Sequence, residues 1–215
     1  MSAYYRSLIN PVADFVGLLD IHPAAAAYSL RKLSAAHTKC LRVRRTNQIG
    51  IYDENNEIDI GFSSTPDANG NYWLDTQTLW EFCALSAYAG EGNGYVTKLY
   101  DPSGNGRDFI QPNAAYQARI VTNAVVETEN GLPCFVTINN GGYYVVNNLS
   151  TFGISSPVMH AAYVARHRTP GALINGYIFR LVSNATRDRH RFASWITAPA
   201  GRVNLYMSSI SNAGG

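Results

Sequence analysis

The first part of this sequence that could do chemistry is a short run in which side-chain oxygens alternate with other residues. The run consists of Asp101, Pro102, Ser103, Gly104, Asn105 and Gly106. Such spacing, followed by a glycine, is typical of a calcium loop, in which Asp101, Ser103 and Asn105 would be the ligands. Pro112 occupies the position at which an EF-hand loop has its closing glutamate. Calcium is therefore the alternative interpretation, and no metal or other cofactor is predicted.

The favoured interpretation of the same run is a rigid structural turn. Pro102 has no N–H to donate and should end a strand, whereas Gly104 and Gly106 adopt positive φ at little steric cost. Asp101 and Asn105 carry short polar side chains that bond back onto the local backbone. We expect this turn to be a rigid, locked connection between two strands.

The histidines and cysteines form no recognisable site. The five histidines are His22, His37, His160, His167 and His190. Their spacing does not fit zinc ligands, and the three cysteines contain no CxxC pair. No glycine-rich phosphate loop is present either. We expect reduced, mostly buried thiols and no metal site.

The elements that must position the turn are mainly β-strands. Residues 95–100, directly before it, alternate with a period of two and predict a strand. Asn-Gly, which suits the tight turns of antiparallel hairpins, occurs six times. Two short helices are also predicted, one over residues 24–33 and one over residues 76–88 with Asp75 as N-cap and an apolar stripe that includes Trp80.

A basic run at residues 41–51 is the one segment whose composition suggests nucleic-acid binding. It contains Arg42, Arg44 and Arg45, alternating with apolar residues. No aromatic stacking platform or glycine-rich loop accompanies these arginines, so we interpret them as the solvated or salt-bridged face of a strand.

Length and charge favour one domain without nucleic-acid or membrane partners. A chain of 215 residues can bury about 70% of its extended surface in one core. The formal net charge is +2, and no apolar run is long enough to span a membrane. Residues 130–215 nevertheless hold seven arginines and one acid, Asp188. We interpret this excess as a solvated basic face, and the alternative is the docking of an acidic partner or of another copy of the chain.

Several segments, in a fixed order, resemble a known group of proteins. They are residues 27–33, 41–45, 59–62, 100–107 and 131–135. Together they resemble two related families: the catalytic domain of arabinofuranosidase B-type glycosidases, and virion proteins of tailed bacteriophages with the same fold. The resemblance covers residues 18–140.

This resemblance implies an all-β fold with minor α content, an antiparallel concanavalin A-like (jelly-roll) β sandwich. It divides the chain into an N-terminal docking segment over residues 1–19 and a sandwich over residues 20–215. We expect the parent chain to continue past Gly215.

This sequence lacks the pair of carboxyl groups that catalysis by the glycosidase relatives requires. A retaining glycosidase needs two carboxyl groups about 5 Å apart, and in those relatives both lie in the later part of the sandwich. Residues 130–187 contain no Asp or Glu. Glu127 and Glu129 would share a face of one strand about 7 Å apart, and we interpret them as solvated strand-end charges. We therefore expect no enzymatic activity.

The favoured function is that of a bacteriophage virion structural protein, made in the host cytoplasm, in a tail, fibre, baseplate or capsid decoration. Its partners would be other virion proteins and further copies of itself. The alternative is a carbohydrate-binding module for host-surface glycans. Its candidate residues are Tyr143, Tyr144, Tyr163, Tyr177 and Trp195. An arabinofuranosidase-like hydrolase is the third possibility.

Overall fold

The computed structural model describes residues 14–45, 56–84 and 92–136, together with the strands at 145–146, 176–181, 190–197 and 202–209. This part of the chain is mainly antiparallel β-structure with two short α-helices, as the sequence predicts. None of its helices is long and apolar enough to cross a membrane.

Seven strands form the largest sheet. They are β1 (Leu41–Arg45), β2 (Glu57–Ile60), β3 (Gly94–Leu99), β4 (Phe109–Ile110), β5 (Arg119–Thr122), β6 (Val125–Val126) and β9 (Val145–Val146). The order β2-β1-β3-β4-β9 runs across it, and β5 also pairs with β3 and carries β6 on its other side. One edge of β3 is thus shared by two strands. Gly94–Leu99 matches the strand predicted over residues 95–100.

The remaining described strands form two smaller antiparallel sheets. One is the hairpin of β7 (Thr128–Glu129) and β8 (Leu132–Pro133). The other has three strands in the order β10 (Gly176–Leu181), β11 (His190–Thr197) and β12 (Arg202–Ser209).

The register of β1 and β2 separates an apolar face of the sheet from a polar one. Leu41 pairs with Ile60, and both side chains are fully buried. Arg42 pairs with Asp59 on the opposite face. The salt-bridged strand face is confirmed for Arg42, which forms ion pairs with Glu57 and Asp59. Arg44 instead bonds the Gln117 side chain, and Arg45 bonds Asn56 and the Phe82 carbonyl. The core continues through Val96 of β3.

Helix α2 (Thr76–Ala84) seals the buried face of the sheet. Asp75 caps its N-terminus by accepting the backbone N–H of Thr78 at 3.0 Å, as predicted. Leu79, Phe82 and Cys83 are buried, at the spacing of one helical face. Trp80 is 43% exposed, so its expected place in the core is wrong. It follows Leu79 by one position and therefore points away from that face.

The helix predicted over residues 24–33 is not formed. The first helix is α1 (Leu18–Ile21), and residues 24–33 are extended or irregular. Their backbone groups bond to distant parts of the chain: Ala27 donates to the Asp101 carboxylate, Leu30 accepts from Leu74, and Lys32 donates to Tyr72. These tertiary hydrogen bonds replace the ones a helix would make within itself, and they override the intrinsic helix propensity of the alanines.

One Asn-Gly pair forms the hairpin turn that the sequence predicts, whereas another turn has a different sequence and another Asn-Gly pair leads into a strand. Asn130 and Gly131, which join β7 to β8, both have positive φ, as a type I′ turn requires. Asn123 and Ala124, which are not an Asn-Gly pair, make the same kind of turn between β5 and β6. Gly94 lies inside β3, where a Cβ would approach the Cys83 sulfur to 2.7 Å.

Candidate functional site

The turn that follows β3 is built around the buried carboxylate of Asp101. Its Oδ1 accepts the backbone N–H groups of Ala27 and Ser103, each at 3.0 Å. Its Oδ2 accepts the Ser103 hydroxyl at 2.7 Å and the backbone N–H of Arg107 at 3.2 Å. Asp101 is only 5% exposed, so these four bonds compensate for the burial of its charge.

The rest of the turn binds the same distant segment. Asn105 donates its side-chain amide to the carbonyls of Ala24 and Ala25 at 3.2 and 3.1 Å. Tyr28 donates its hydroxyl to the Arg107 carbonyl, and its ring stacks on Phe109 with centroids 3.6 Å apart. These contacts hold the turn at residues 101–107 against residues 24–28.

The hydrogen bonds of the turn limit the access of a cation to the predicted calcium ligands. The Asp101 oxygens already face four protein donors, and Asn105 points N–H groups toward backbone carbonyls. A calcium ion would have to displace these donors before it could bind. Within the described ranges, no group of three His, Cys, Asp or Glu side chains is arranged to hold a metal.

The predicted sugar-binding aromatics fall mostly outside the described residues. Tyr143, Tyr144 and Tyr163 lie there. Tyr177 and Trp195 are placed, and they are direct register partners on β10 and β11. The structure therefore brings two of the five candidates to opposed positions in one sheet.

The carboxylates considered for glycoside hydrolysis have structural contacts. Glu127 lies between β6 and β7, so Glu127 and Glu129 are not on one continuous strand. The Glu127 side chain accepts the Thr122 hydroxyl at 2.5 Å and forms an ion pair with Arg119 at 3.3 Å. Its expected role as a solvated charge is wrong, because it is 12% exposed and bonded.

The polar face of the large sheet carries a charged network centred on Arg42. Its guanidinium binds Glu57 at 2.9 Å and Asp59 at 3.1 Å. Asp59 also accepts from Lys39 and from the Tyr100 hydroxyl, each at 2.6 Å. Burial alone would raise the pKa of Asp59, but the bonds from Lys39 and Tyr100 outweigh burial and hold that pKa below its ordinary value. Burial and the bond to Asp59 raise the pKa of Tyr100 to about 12.

A groove of about 320 Å³ opens beside this network. Its lining consists of Arg42, Glu57, Thr97, Lys98, Ile110, Gln111, Pro112 and Gln117. A β-bulge in β3 helps to build it, because the register of β1 against β3 shifts between Arg42 and Val43 and leaves Thr97 as the extra residue. The Thr97 hydroxyl lies 3.3 Å from the Arg42 carbonyl and 3.5 Å from Glu57 Oε2.

The predicted docking segment, residues 1–19, is placed from Asp14 onward, and it displays apolar side chains together with Ile21, which follows it. Val16, Leu18 and Ile21 are 62%, 52% and 62% exposed. The segment itself is fixed to the body, because Leu19 donates its backbone N–H to Leu33 at 2.8 Å and Asp20 accepts the Ser34 hydroxyl at 2.8 Å.

Sequence reasoning missed the groove and the fixed apolar row. The alternation in residues 95–100 predicts the strand, but a bulge depends on pairing with β1, which a single strand does not reveal. Val16, Leu18 and Ile21 are visible as apolar residues, whereas their exposure depends on how residues 17–20 are anchored.

Comparison with known proteins adds no relative. No protein-family model, curated protein or solved structure matches this chain.

Proposed function

We propose that this chain is a non-enzymatic structural protein of a bacteriophage virion that acts through protein–protein contacts, with further copies of itself among its partners. The observation that carries the proposal is the row of exposed apolar side chains at Val16, Leu18 and Ile21. Exposed apolar groups clustered on an anchored segment are informative, because water disfavours them and a partner surface does not.

Because the segment that carries this row is anchored, the row is suited to act as a contact surface. Asp20 fixes α1 by accepting the Ala35 and Gly17 backbone N–H groups at 2.8 and 2.7 Å, and these bonds lower the pKa of Asp20. Phe15 contacts the Tyr72 ring edge-on at 5.2 Å. A segment that is already ordered loses less conformational entropy on binding, so more of the gain from apolar burial appears as affinity.

The proposal includes a concanavalin A-like sandwich of the kind that the sequence resemblance implies. Two features support it: the large sheet has one apolar and one polar face, and β10, β11 and β12 form a second antiparallel sheet. A sandwich packs the apolar faces of two such sheets together.

The non-enzymatic part rests on how the described carboxylates are used. Asp101 accepts four hydrogen bonds that close a turn, Glu127 bonds Thr122 and Arg119, and Glu57 and Asp59 share Arg42. A glycosidase would need two carboxyl groups held across a cleft with different proton affinities. Hydrolysis of an aryl arabinofuranoside that disappears in an acid-to-amide variant would overturn this part.

Electron microscopy of purified particles, with a gold-labelled antibody against this chain, tests the proposal as a whole. The expected result is label at a regularly repeated position on the particle. Particles that carry no label while the chain remains in the lysate would contradict it.

A further inference from the structure

We propose that the groove beside β3 is a binding site for a neutral saccharide, formed by Arg42, Glu57, Thr97 and Lys98 with Ile110 and Pro112 as its apolar patch. This inference goes beyond the assembly role and uses a different part of the molecule from the exposed row at residues 16–21.

The groove has the volume of a small ligand site, and hydrogen bonds hold one of its walls in place. Its volume of about 320 Å³ lies at the lower end of the range for small-molecule pockets. Gln111 and Gln117, both 3% exposed, support one wall, and the Gln117 amide donates to the Gln111 carbonyl at 3.0 Å. Asn113 continues this wall by donating its backbone N–H to the Gln111 side chain at 2.9 Å.

The polar groups in the groove can both donate and accept. Lys98 carries three N–H donors, and its ion pair with Asp108 is long, at 3.6 Å. Glu57 contacts Arg42 and Thr97 through Oε2, and within the described residues its Oε1 is left to accept from a ligand. Because a sugar hydroxyl donates one hydrogen bond and accepts others, adjacent donors and acceptors suit it.

The charges around the groove exclude strongly charged ligands. Arg42 and Lys98 are balanced by Glu57 in the groove and by Asp59 and Asp108 at the other ends of their ion pairs. A phosphate group in the groove would have to compete with carboxylates that already pair both cations, and an ammonium group would meet Arg42 and Lys98 in the lining. An uncharged polyhydroxyl ligand avoids both penalties.

Thr97 is the residue that the fold places there most specifically. In a regular strand, neighbouring residues point to opposite faces, but the bulge sets Thr97 and Lys98 together opposite Arg42. Bulges are frequent beside binding sites because they redirect a side chain in this way. The Glu57 and Lys98 side chains are 28% and 29% exposed and can contact a ligand, whereas Thr97 is only 7% exposed.

The test is isothermal titration calorimetry of the full chain with cellohexaose, xylohexaose, arabinohexaose, mannohexaose and maltohexaose, and with a heparin hexasaccharide as the polyanionic comparison. We expect at least one neutral oligosaccharide to bind. Thr97→Val keeps the β-branched shape and Lys98→Met keeps the stem, so both should fold, and each should weaken that binding about tenfold. Trp80→Ala, which removes an exposed aromatic ring on α2, is the matched control and should bind as the parent does.

Three results would overturn the inference. They are the absence of binding by every neutral oligosaccharide, stronger binding of heparin than of any neutral sugar, and equal affinity in the parent and both groove variants. Self-association without saccharide binding would leave the assembly role intact, and saccharide binding by a monomeric chain would leave the groove intact, so the two proposals fail separately.

Discussion

The Asp101 carboxylate accepts the backbone N–H of Ala27 at 3.0 Å, although the two residues lie 74 positions apart in the sequence. This bond explains two features of the molecule together. It holds the turn after β3 closed, and it draws residues 24–28 into an extended path along that turn.

Loss of the Asp101 carboxylate should destabilise the chain strongly. Asp101→Ala leaves four buried or half-buried donors without their acceptor, and hydrogen bonds to a charged group contribute about 1.5–3 kcal/mol each before non-additivity. We expect the free energy of unfolding in urea to fall by about 3 kcal/mol.

The matched control is Asp75→Ala, which removes an exposed helix cap and should cost about 1 kcal/mol. Equal losses for the two variants would show that the buried turn contributes no more than a surface cap.

The β5–β6 turn should become more stable when Ala124 is replaced by glycine. Ala124 has φ +59°, where a side chain with a Cβ costs about 1 kcal/mol relative to glycine. Ala124→Gly should therefore raise the free energy of unfolding by roughly 0.5 kcal/mol, after the added freedom of the unfolded chain is subtracted.

Ala84→Gly, at the end of α2, is the control for the glycine substitution itself and should lower stability. A fall in stability for Ala124→Gly as well would contradict the left-handed conformation assigned to this turn.

The loop around Asp67 should lose stability in acid. Hydrogen bonds from Trp73 Nε1 and the backbone N–H of Asn71, at 2.9 and 2.8 Å, lower the pKa of Asp67 from 3.8 to about 2. The unfolded chain therefore binds more protons between these values, so this contribution is fully present above pH 3.8 and is lost as the pH falls toward 2.

Urea unfolding of the parent and of Asp67→Asn at several pH values measures this contribution. The difference in unfolding free energy should be largest above pH 3.8 and shrink toward pH 2. Asp14→Asn, at an exposed position, should change little at any pH. A difference for Asp67→Asn that does not vary with pH would contradict the assigned bonds.

Local pattern predicts the parts of this fold that depend on neighbouring residues. The alternation of residues 41–45 gives both β1 and its salt-bridged face, and Asp75 marks the start of α2. Asn130 and Gly131 give a hairpin because both residues tolerate positive φ. In each case the signal and the structure lie within a few positions of each other.

Long-range bonding decides the parts that the pattern does not predict. Residues 24–33 have the composition of a helix, but their backbone bonds to Asp101, Tyr72 and Leu74 keep them extended. The groove depends on the shifted register of β1 against β3, and no periodicity within β3 reports that shift. The rigid turn at Asp101 was expected from its local side-chain bonding, whereas the bond from Asp101 to the distant Ala27 was not.

Multi-angle light scattering of the purified chain tests the central claim, that it acts through contacts between protein surfaces, most directly. The parent should elute as a multimer of fixed mass, and the triple variant Val16→Asp, Leu18→Asp, Ile21→Asp should elute as a monomer, because each apolar side chain buried at a contact contributes about 1.5–3 kcal/mol. A parent chain that stays monomeric at every concentration, or a triple variant with the same mass as the parent, would contradict the account.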